Sequence, residues 1–244
     1  MIPGLAAPVK IAFATDIHRD YRVFTWLEMA VRNFDIVAVG GDIDDPYLGL
    51  RNFKLNYAMH KIRPNVVRDR IFGFASRQRE KLVIVVLGNH DNPDARAFHG
   101  RSIKAGGIVL GGVGGSLPTG SPFPFQLGEE DYESVLSRMG HVDVLVVHEP
   151  PFDTRCDIEN GGRHVGSKAV REYVDRERPS LVLTGHIHES PAVDLVGPTT
   201  VINPGPFFMG NYGEAELTQD GAHARIMGVA TNSPRAEPRS ATQP

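Results

Sequence analysis

An α/β fold is what this chain's pattern predicts, and three observations predict it. Short, mostly β-branched apolar runs recur along the 244 residues. Stretches with helical spacing or cap signals separate them. The runs end in Gly, Asp, Asn or His, as buried parallel strands do where they turn into loops.

The elements follow in order. The run Val9–Ala14 leads into Asp16, and Ile36–Val39 leads into Asp42. The run 82–87 leads into Asn89 and His90, 142–147 into His148, and Leu181–Leu183 into His186. Between them, 21–32 carries Phe24, Leu27, Ala30 and Val31 at helical spacing, with Asp20 as the expected N-cap. Residues 66–79 read as a polar-rich helix. Glu129–Met139 opens on acidic residues that suit a helix N-terminus. Ser167 is positioned to cap 168–178, which Pro179 then ends. Beyond His188 the pattern becomes β-rich, with expected strands at 192–196, 199–202, 212–218 and 222–229. These should finish one or both sheets with antiparallel strands. Residues 108–113 form a further candidate strand inside a Gly- and Pro-rich stretch, 106–128, that carries Phe123 and Phe125 and reads either as a rim loop shaping specificity or as a plain connection. We expect one domain over 1–229 and a disordered tail over 230–244, where bulky apolar residues are scarce.

Composition narrows the classes. A formal net charge of −3 gives no electrostatic reason to expect a nucleic-acid partner. A single cysteine, Cys156, excludes an intramolecular disulfide and a thiolate-rich zinc site. No secretory leader and no run of membrane-spanning length is visible, so the expectation is a cytoplasmic protein.

The chemistry-bearing residues form five clusters: Asp16-Ile17-His18, Gly41-Asp42, Gly88-Asn89-His90-Asp91, His148 and Gly185-His186-Ile187-His188. Ligand sites in open α/β sheets gather beyond the carboxyl ends of strands, so clusters scattered in sequence can meet there. Asp16 and His18 share a face at strand spacing. His186 and His188 repeat that arrangement, or splay to two ions if the loop bends. Asp42 could bridge two ions through its two oxygens, and Asn89 offers a neutral carbonyl oxygen. Imidazole, carboxylate and amide without sulfur suit Mn, Fe, Zn, Co or Ni and do not choose among them. Two such ions about 3.5–4 Å apart would activate a bridging hydroxide and clamp phosphate oxygens.

In this order and at these loops, the five clusters resemble the full motif set of the calcineurin-like metallophosphoesterases, over residues 11–188. The turn Ile202-Asn203-Pro204-Gly205 is also similar to compact members. The resemblance implies a four-layer α/β/β/α sandwich with two facing mixed β-sheets. It implies that Asp16, His18 and His188 hold one divalent ion, that Asn89, His148 and His186 hold the second, and that Asp42 bridges them. His90 would contact the phosphate and serve the leaving oxygen, with Asp91 orienting its ring. The substrate would be a small-molecule phosphate ester, with phosphodiesters favoured over monoesters and cyclic nucleotides one candidate class.

Plainer readings apply elsewhere. His60, His99, His141 and His223 read as structural or exposed, and Asp20, Asp44 and Asp45 as turn formers or caps. The segment from Gly161 to Lys168 imitates a phosphate loop, but its Lys and Ser are in reversed order. It reads as a loop before a capped helix, with Arg163 and His164 as candidates for substrate contact. Two rival functions remain: a scaffold that keeps the fold without the chemistry, which the filled ligand positions disfavour, and a nuclease with the same metal core.

Overall fold

The computed structural model describes residue 5, residues 7–44 and residues 65–229. The expected tail at 230–244, Asp45 and His60 lie outside the described residues. The strands are β1 (Val9–Ala14), β2 (Ile36–Val39), β3 (Leu82–Val85), β4 (Arg101–Ala105), β5 (Ile108–Val113), β6 (Val144–Val147), β7 (Leu181–Leu183), β8 (Ala192–Val196), β9 (Thr199–Asn203), β10 (Asn211–Thr218) and β11 (Gly221–Gly228). The helices are α1 (Arg22–Asn33), α2 (Val66–Arg77), α3 (Glu129–Met139) and α4 (Lys168–Glu177).

The strands form two mixed sheets. The first has the order β11-β10-β1-β2-β3, with β1 to β3 parallel and β10 and β11 antiparallel at one side. The second has the order β4-β5-β6-β7-β9-β8, parallel in the middle and antiparallel at both edges. The β-rich C-terminal part therefore finishes both sheets.

Strand alternation sorts the apolar residues into three layers. Along β1, Ile11 and Phe13 turn inward to meet Ile84, Val86, Leu110, Val144 and Leu183, so the two sheets face each other. Ala12 and Ala14 turn outward beneath Val23, Trp26 and Leu27 of α1 and Ile71 of α2. On the second sheet, Leu145, Val147 and Val182 turn outward beneath Tyr132 of α3 and Val170, Tyr173 and Val174 of α4. This is the four-layer α/β/β/α sandwich. Each fully buried Val, Leu or Ile contributes about 1.5–3 kcal/mol to it. Strands buried on both faces explain why the runs are continuously apolar rather than alternating.

Several boundaries differ from the sequence pattern for local reasons. Pairing of β3 stops at Val85, although Val86 and Leu87 stay buried. The N-cap of α1 is Tyr21 rather than Asp20, whose Oδ1 still accepts from the backbone N–H of Arg22 at 2.9 Å. Asp44 caps α2 from across the fold, accepting from the backbone N–H groups of Val67 and Arg68 at 3.3 and 2.9 Å. Ser167 caps α4 by accepting from the Val170 N–H at 3.1 Å. Strand β4 was not anticipated. Arg101, Ser102, Ile103 and Lys104 are all exposed, so this edge strand has no apolar period to read. Its hairpin with β5 turns on Gly106 and Gly107, whose φ values of 61° and 86° suit the two-residue turn between paired Ala105 and Ile108. Among the described residues no helix is long and apolar enough to cross a membrane.

Candidate metal centre

Five loops at the carboxyl ends of β1, β2, β3, β6 and β7 meet along one edge of the sandwich. Backbone bonds zip the first two together: the Asp16 N–H donates to the Gly41 carbonyl at 2.9 Å, and the His18 N–H donates to the Asp42 carbonyl at 2.8 Å. Across the sheets, the His186 N–H donates to Asp16 Oδ2 at 3.2 Å. Glycine makes this approach possible. A Cβ on Gly88 would overlap the Asp42 carboxylate, and one on Gly185 would stand 2.6 Å from Asp16 Oδ2. Asp16, His18, Asp42 and His186 all adopt left-handed backbone, with φ of 55°, 45°, 49° and 66°. Such strain in non-glycine residues persists where the surroundings over-determine it, and it concentrates at functional sites.

Seven of the anticipated side chains converge. Donor atoms of Asp16, His18, Asp42 and His188 lie within 4.8 Å of one another, and so do those of Asp42, His148 and His186. Asp42 belongs to both groups. Its Oδ1 lies 3.5 Å from His148 Nε2, while its Oδ2 lies 3.9 Å from His18 Nε2. Asn89 joins the second group, its Oδ1 3.2 Å from His148 Nε2. Asp16 Oδ2 accepts from the Thr15 hydroxyl at 2.9 Å, which leaves Oδ1 to face His188 Nε2 at 3.1 Å.

This donor set fits cations. His148 Nδ1 donates to the Gly40 carbonyl at 2.8 Å, which turns its Nε2 toward Asn89 Oδ1 and Asp42 Oδ1, where a cation that displaced its proton would find a lone pair. The Nε2 atoms of His18 and His188 likewise face each other at 3.2 Å. Asn89 turns its Oδ1 into the cluster although its Nδ2 stays buried without a hydrogen-bond partner among the described residues. A cation on Oδ1 would offset that desolvation cost.

The electrostatics agree. Burial alone would raise the Asp16 carboxyl, but His188 outweighs it and holds the group at about 2. Asp42 is held well below the carboxylate range, burial being outweighed by His148, His90 and His18. Burial opposes a charge on His148, yet Asp42 pushes it up to about 10. Burial, reinforced by His148, pushes His186 down to about 3. Burial raises Glu149 to about 8.

These shifts fix how the metal-free protein should respond to pH. Asp16 contributes stability that is present above its unfolded 3.8 and lost as pH falls to about 2. His148 contributes stability that is present below its unfolded 6.5 and lost as pH climbs to about 10. The neutral Glu149 carboxyl favours the fold below 4.5, and that contribution is lost as pH rises to about 8. His186 opposes these, its contribution being present above its unfolded 6.5 and lost as pH falls to about 3. Glu149, His148 and Asp91, which is raised to about 7, together outweigh it, so the Tm of metal-free protein should fall between about pH 5 and pH 8. Added divalent metal competes with the His148 proton, so it should raise Tm more at pH 8 than at pH 5. Differential scanning fluorimetry with and without chelator checks this, and a metal-free Tm that rises across the window contradicts it.

His90 stands beside the cluster. Its backbone N–H donates to Asp42 Oδ1 at 3.0 Å, and its Nε2 lies 3.8 Å from Asp42 Oδ2. Asp91 departs from the expected role. Among the described residues its carboxylate accepts from backbone N–H groups of Ile43, Asp44 and Gly88, the last two at 3.0 and 2.9 Å. It clasps the Asp42 loop to the His90 loop rather than orienting the imidazole, because its oxygens are already taken. Burial and the Asp42 charge raise it to about 7.

Arg163 and His164, the candidates for substrate contact, sit on their own loop. The Arg163 guanidinium pairs with Glu159, and His164 Nδ1 lies 2.7 Å from Asp157 Oδ1. Both side chains are held within their own loop by local carboxylates and belong to neither donor group. His99 accepts from the Gly114 N–H at 3.1 Å, in keeping with its structural reading.

Sequence reasoning missed supporting residues. Glu149 is fully buried, with Oε2 3.8 Å from His186 Nε2 and 2.8 Å from the Leu117 N–H. Phe208 packs edge-on against His18 and His188, with ring centroids 5.2 and 5.6 Å away. Asn203, in the turn already singled out, braces the last loop by donating to the Ile187 carbonyl at 2.9 Å. For Glu149 the one signal was its place next to His148.

Known proteins resemble this chain in sequence or in fold. An uncharacterized protein of Methanocaldococcus jannaschii is 36% identical over 110 residues, covering 42% of this chain and 50% of the relative, so the match spans half of that protein's length. A crystal structure from Thermus thermophilus shares the fold at TM-score 0.60 and 16% identity, covering 91% of this chain and 100% of that one. A dimetal phosphatase from Danio rerio shares it at TM-score 0.55 and 13% identity, covering 91% of this chain and 96% of that one. A calcineurin-like phosphoesterase family model matches residues 9–190, the span that holds the donors of both groups and His90. On that match the chain belongs to the calcineurin-like phosphoesterase family.

Proposed function

We propose that this protein is a dinuclear metal-dependent hydrolase of phosphate esters, with phosphodiesters as its favoured substrates. Asp16, His18 and His188 hold one divalent ion, Asn89, His148 and His186 hold the other, and Asp42 holds both. The observation that carries this reading is the placement of the two Asp42 oxygens, one toward His148 and one toward His18. The two-metal character in the name of the Danio rerio relative supports it. Mn, Fe and Zn all suit the donors. Bound there, such a pair supplies Lewis acidity at the phosphoryl oxygens and a water acidic enough to attack at neutral pH.

The chain's own residues do the rest. Asp42 and the histidines fix the geometry, and the glycine-permitted loop contacts keep it rigid. His90, beside the pair, contacts the phosphoryl group and gives its proton to the departing oxygen. Among the described residues, two basic side chains that flank the expected site residues, Arg19 and Arg163, are engaged by Asp44 and Glu159. That supports a singly charged diester over a doubly charged monoester, with cyclic nucleotides among the candidates. The test is a metal screen, with Mn, Fe and Zn each added to metal-free protein, against bis(p-nitrophenyl) phosphate and p-nitrophenyl phosphate. Faster turnover of the diester is expected. Folded protein that turns over neither ester with any metal would end the proposal.

A further inference from the structure

The segment between β5 and α3 is built to hold one aromatic ring. Two backbone bonds fasten it to the His90 loop: the Gly115 N–H donates to the Leu87 carbonyl at 2.9 Å, and the Phe125 N–H donates to the Asn89 carbonyl at 3.2 Å. It is also closed on itself, the Leu127 N–H donating to the Ser116 carbonyl at 2.8 Å. Phe125 packs beneath it against His99, and a Cβ on Gly114 would stand 2.8 Å from the Phe125 ring. At the tip, the Phe123 N–H donates to the Ser121 carbonyl at 2.9 Å and turns the chain back. There the Phe123 ring lies on the His90 imidazole, with centroids 4.1 Å apart and planes inclined by 37°.

Phe125 packs against the core beneath α1 and α2, whereas Phe123 packs into none of the three cores. A half-buried phenylalanine outside the core, on a loop anchored by the backbone of Leu87 and Asn89, has its ring contact with His90. We infer that Phe123 is a positioning residue, which holds the His90 imidazole in the pose that serves the leaving oxygen. This inference rests on the hydrolase reading above.

In the reaction, water oxygen forms the new P–O bond as the bond to the leaving group breaks. The leaving oxygen keeps the electron pair and takes a proton from His90, and the water's proton passes to solvent. Imidazole turns about two side-chain torsions, and a ring stacked on its face removes most of that freedom. Proton delivery matters most when the leaving oxygen is basic, so a loosened His90 should be felt in proportion to leaving-group basicity.

The test uses Zn-loaded protein and phenyl phosphodiesters whose leaving phenols run from p-nitrophenol to p-methoxyphenol. Phe123→Leu should lower kcat by less than about threefold for p-nitrophenol and by about tenfold or more for p-methoxyphenol, with KM held within about twofold. Phe123→Tyr should restore the wild-type gradient, because it keeps the stacked face. His90→Ala should show the same gradient with larger losses. An equal loss for all phenols, a loss in KM alone, or no recovery with Tyr would overturn the inference. A second measurement does not depend on turnover. The ring current of Phe123 should displace the His90 ring-proton resonances of the Zn-loaded protein, and Phe123→Leu should shift them; unchanged resonances overturn the inference. Wild-type protein that hydrolyses none of these esters with Mn, Fe or Zn would defeat the hydrolase reading, and the resonances would still decide whether Phe123 holds His90.

Discussion

Asp42→Asn should lower kcat/KM by about 10³-fold or more. Geometry sets that expectation. One carboxylate serves two donor groups, with Oδ1 toward His148 and Oδ2 toward His18. Asn keeps the shape and the hydrogen bond to one neighbour but loses the charge shared by both groups. Cation binding supplies several kcal/mol of transition-state stabilisation, and each 1.4 kcal/mol is about tenfold in rate. Metal content should fall below two ions per chain at the same time. Circular dichroism separates this from unfolding. A folded variant that keeps two ions and wild-type turnover would contradict the assignment of Asp42.

His90→Ala should cost about 10²–10⁴-fold in kcat while leaving metal content unchanged. The side chain lies beside the donor groups but belongs to neither of them. Its backbone N–H, which holds Asp42 Oδ1 at 3.0 Å, survives the replacement. The two variants are therefore expected to separate: one loses ions and rate together, the other loses rate alone. Loss of metal in His90→Ala would mean that the imidazole is a ligand. Undiminished turnover would favour a role without chemistry at His90.

Much of the fold could be read from the chain because its strands are buried on both faces. Val9–Ala14 and Ile36–Val39 appear in sequence as unbroken apolar runs for that reason, and their boundaries match. Strand β4 could not be read, since Arg101, Ser102 and Lys104 are exposed and only pairing with β5 orders them. The donors could be read because their residue types stand at strand ends. Which donor faces which could not be derived from spacing. His18 and His188 meet across 170 residues, a pairing set by sheet order.

The roles of charged residues were the hardest to read. Asp91 was expected to act on its neighbour's ring and is instead consumed by backbone N–H groups of Ile43, Asp44 and Gly88. Arg163 and His164 looked available in sequence, but Glu159 and Asp157, both within the same loop, engage them. The contacts of Glu149 with His186 and of Phe123 with His90 could not be read for the opposite reason. A carboxyl buried beside His186 and a ring laid on His90 depend on loops brought together only by the fold.

Asp42 is expected to sit between two cations. Crystals grown with Mn²⁺ and measured at a wavelength where manganese scatters anomalously test it directly. The expected map has two peaks about 3.5–4 Å apart, one among Asp16, His18 and His188 and the other among Asn89, His148 and His186, with an Asp42 oxygen on each. A single peak, or peaks that leave Asp42 uncoordinated, would contradict it.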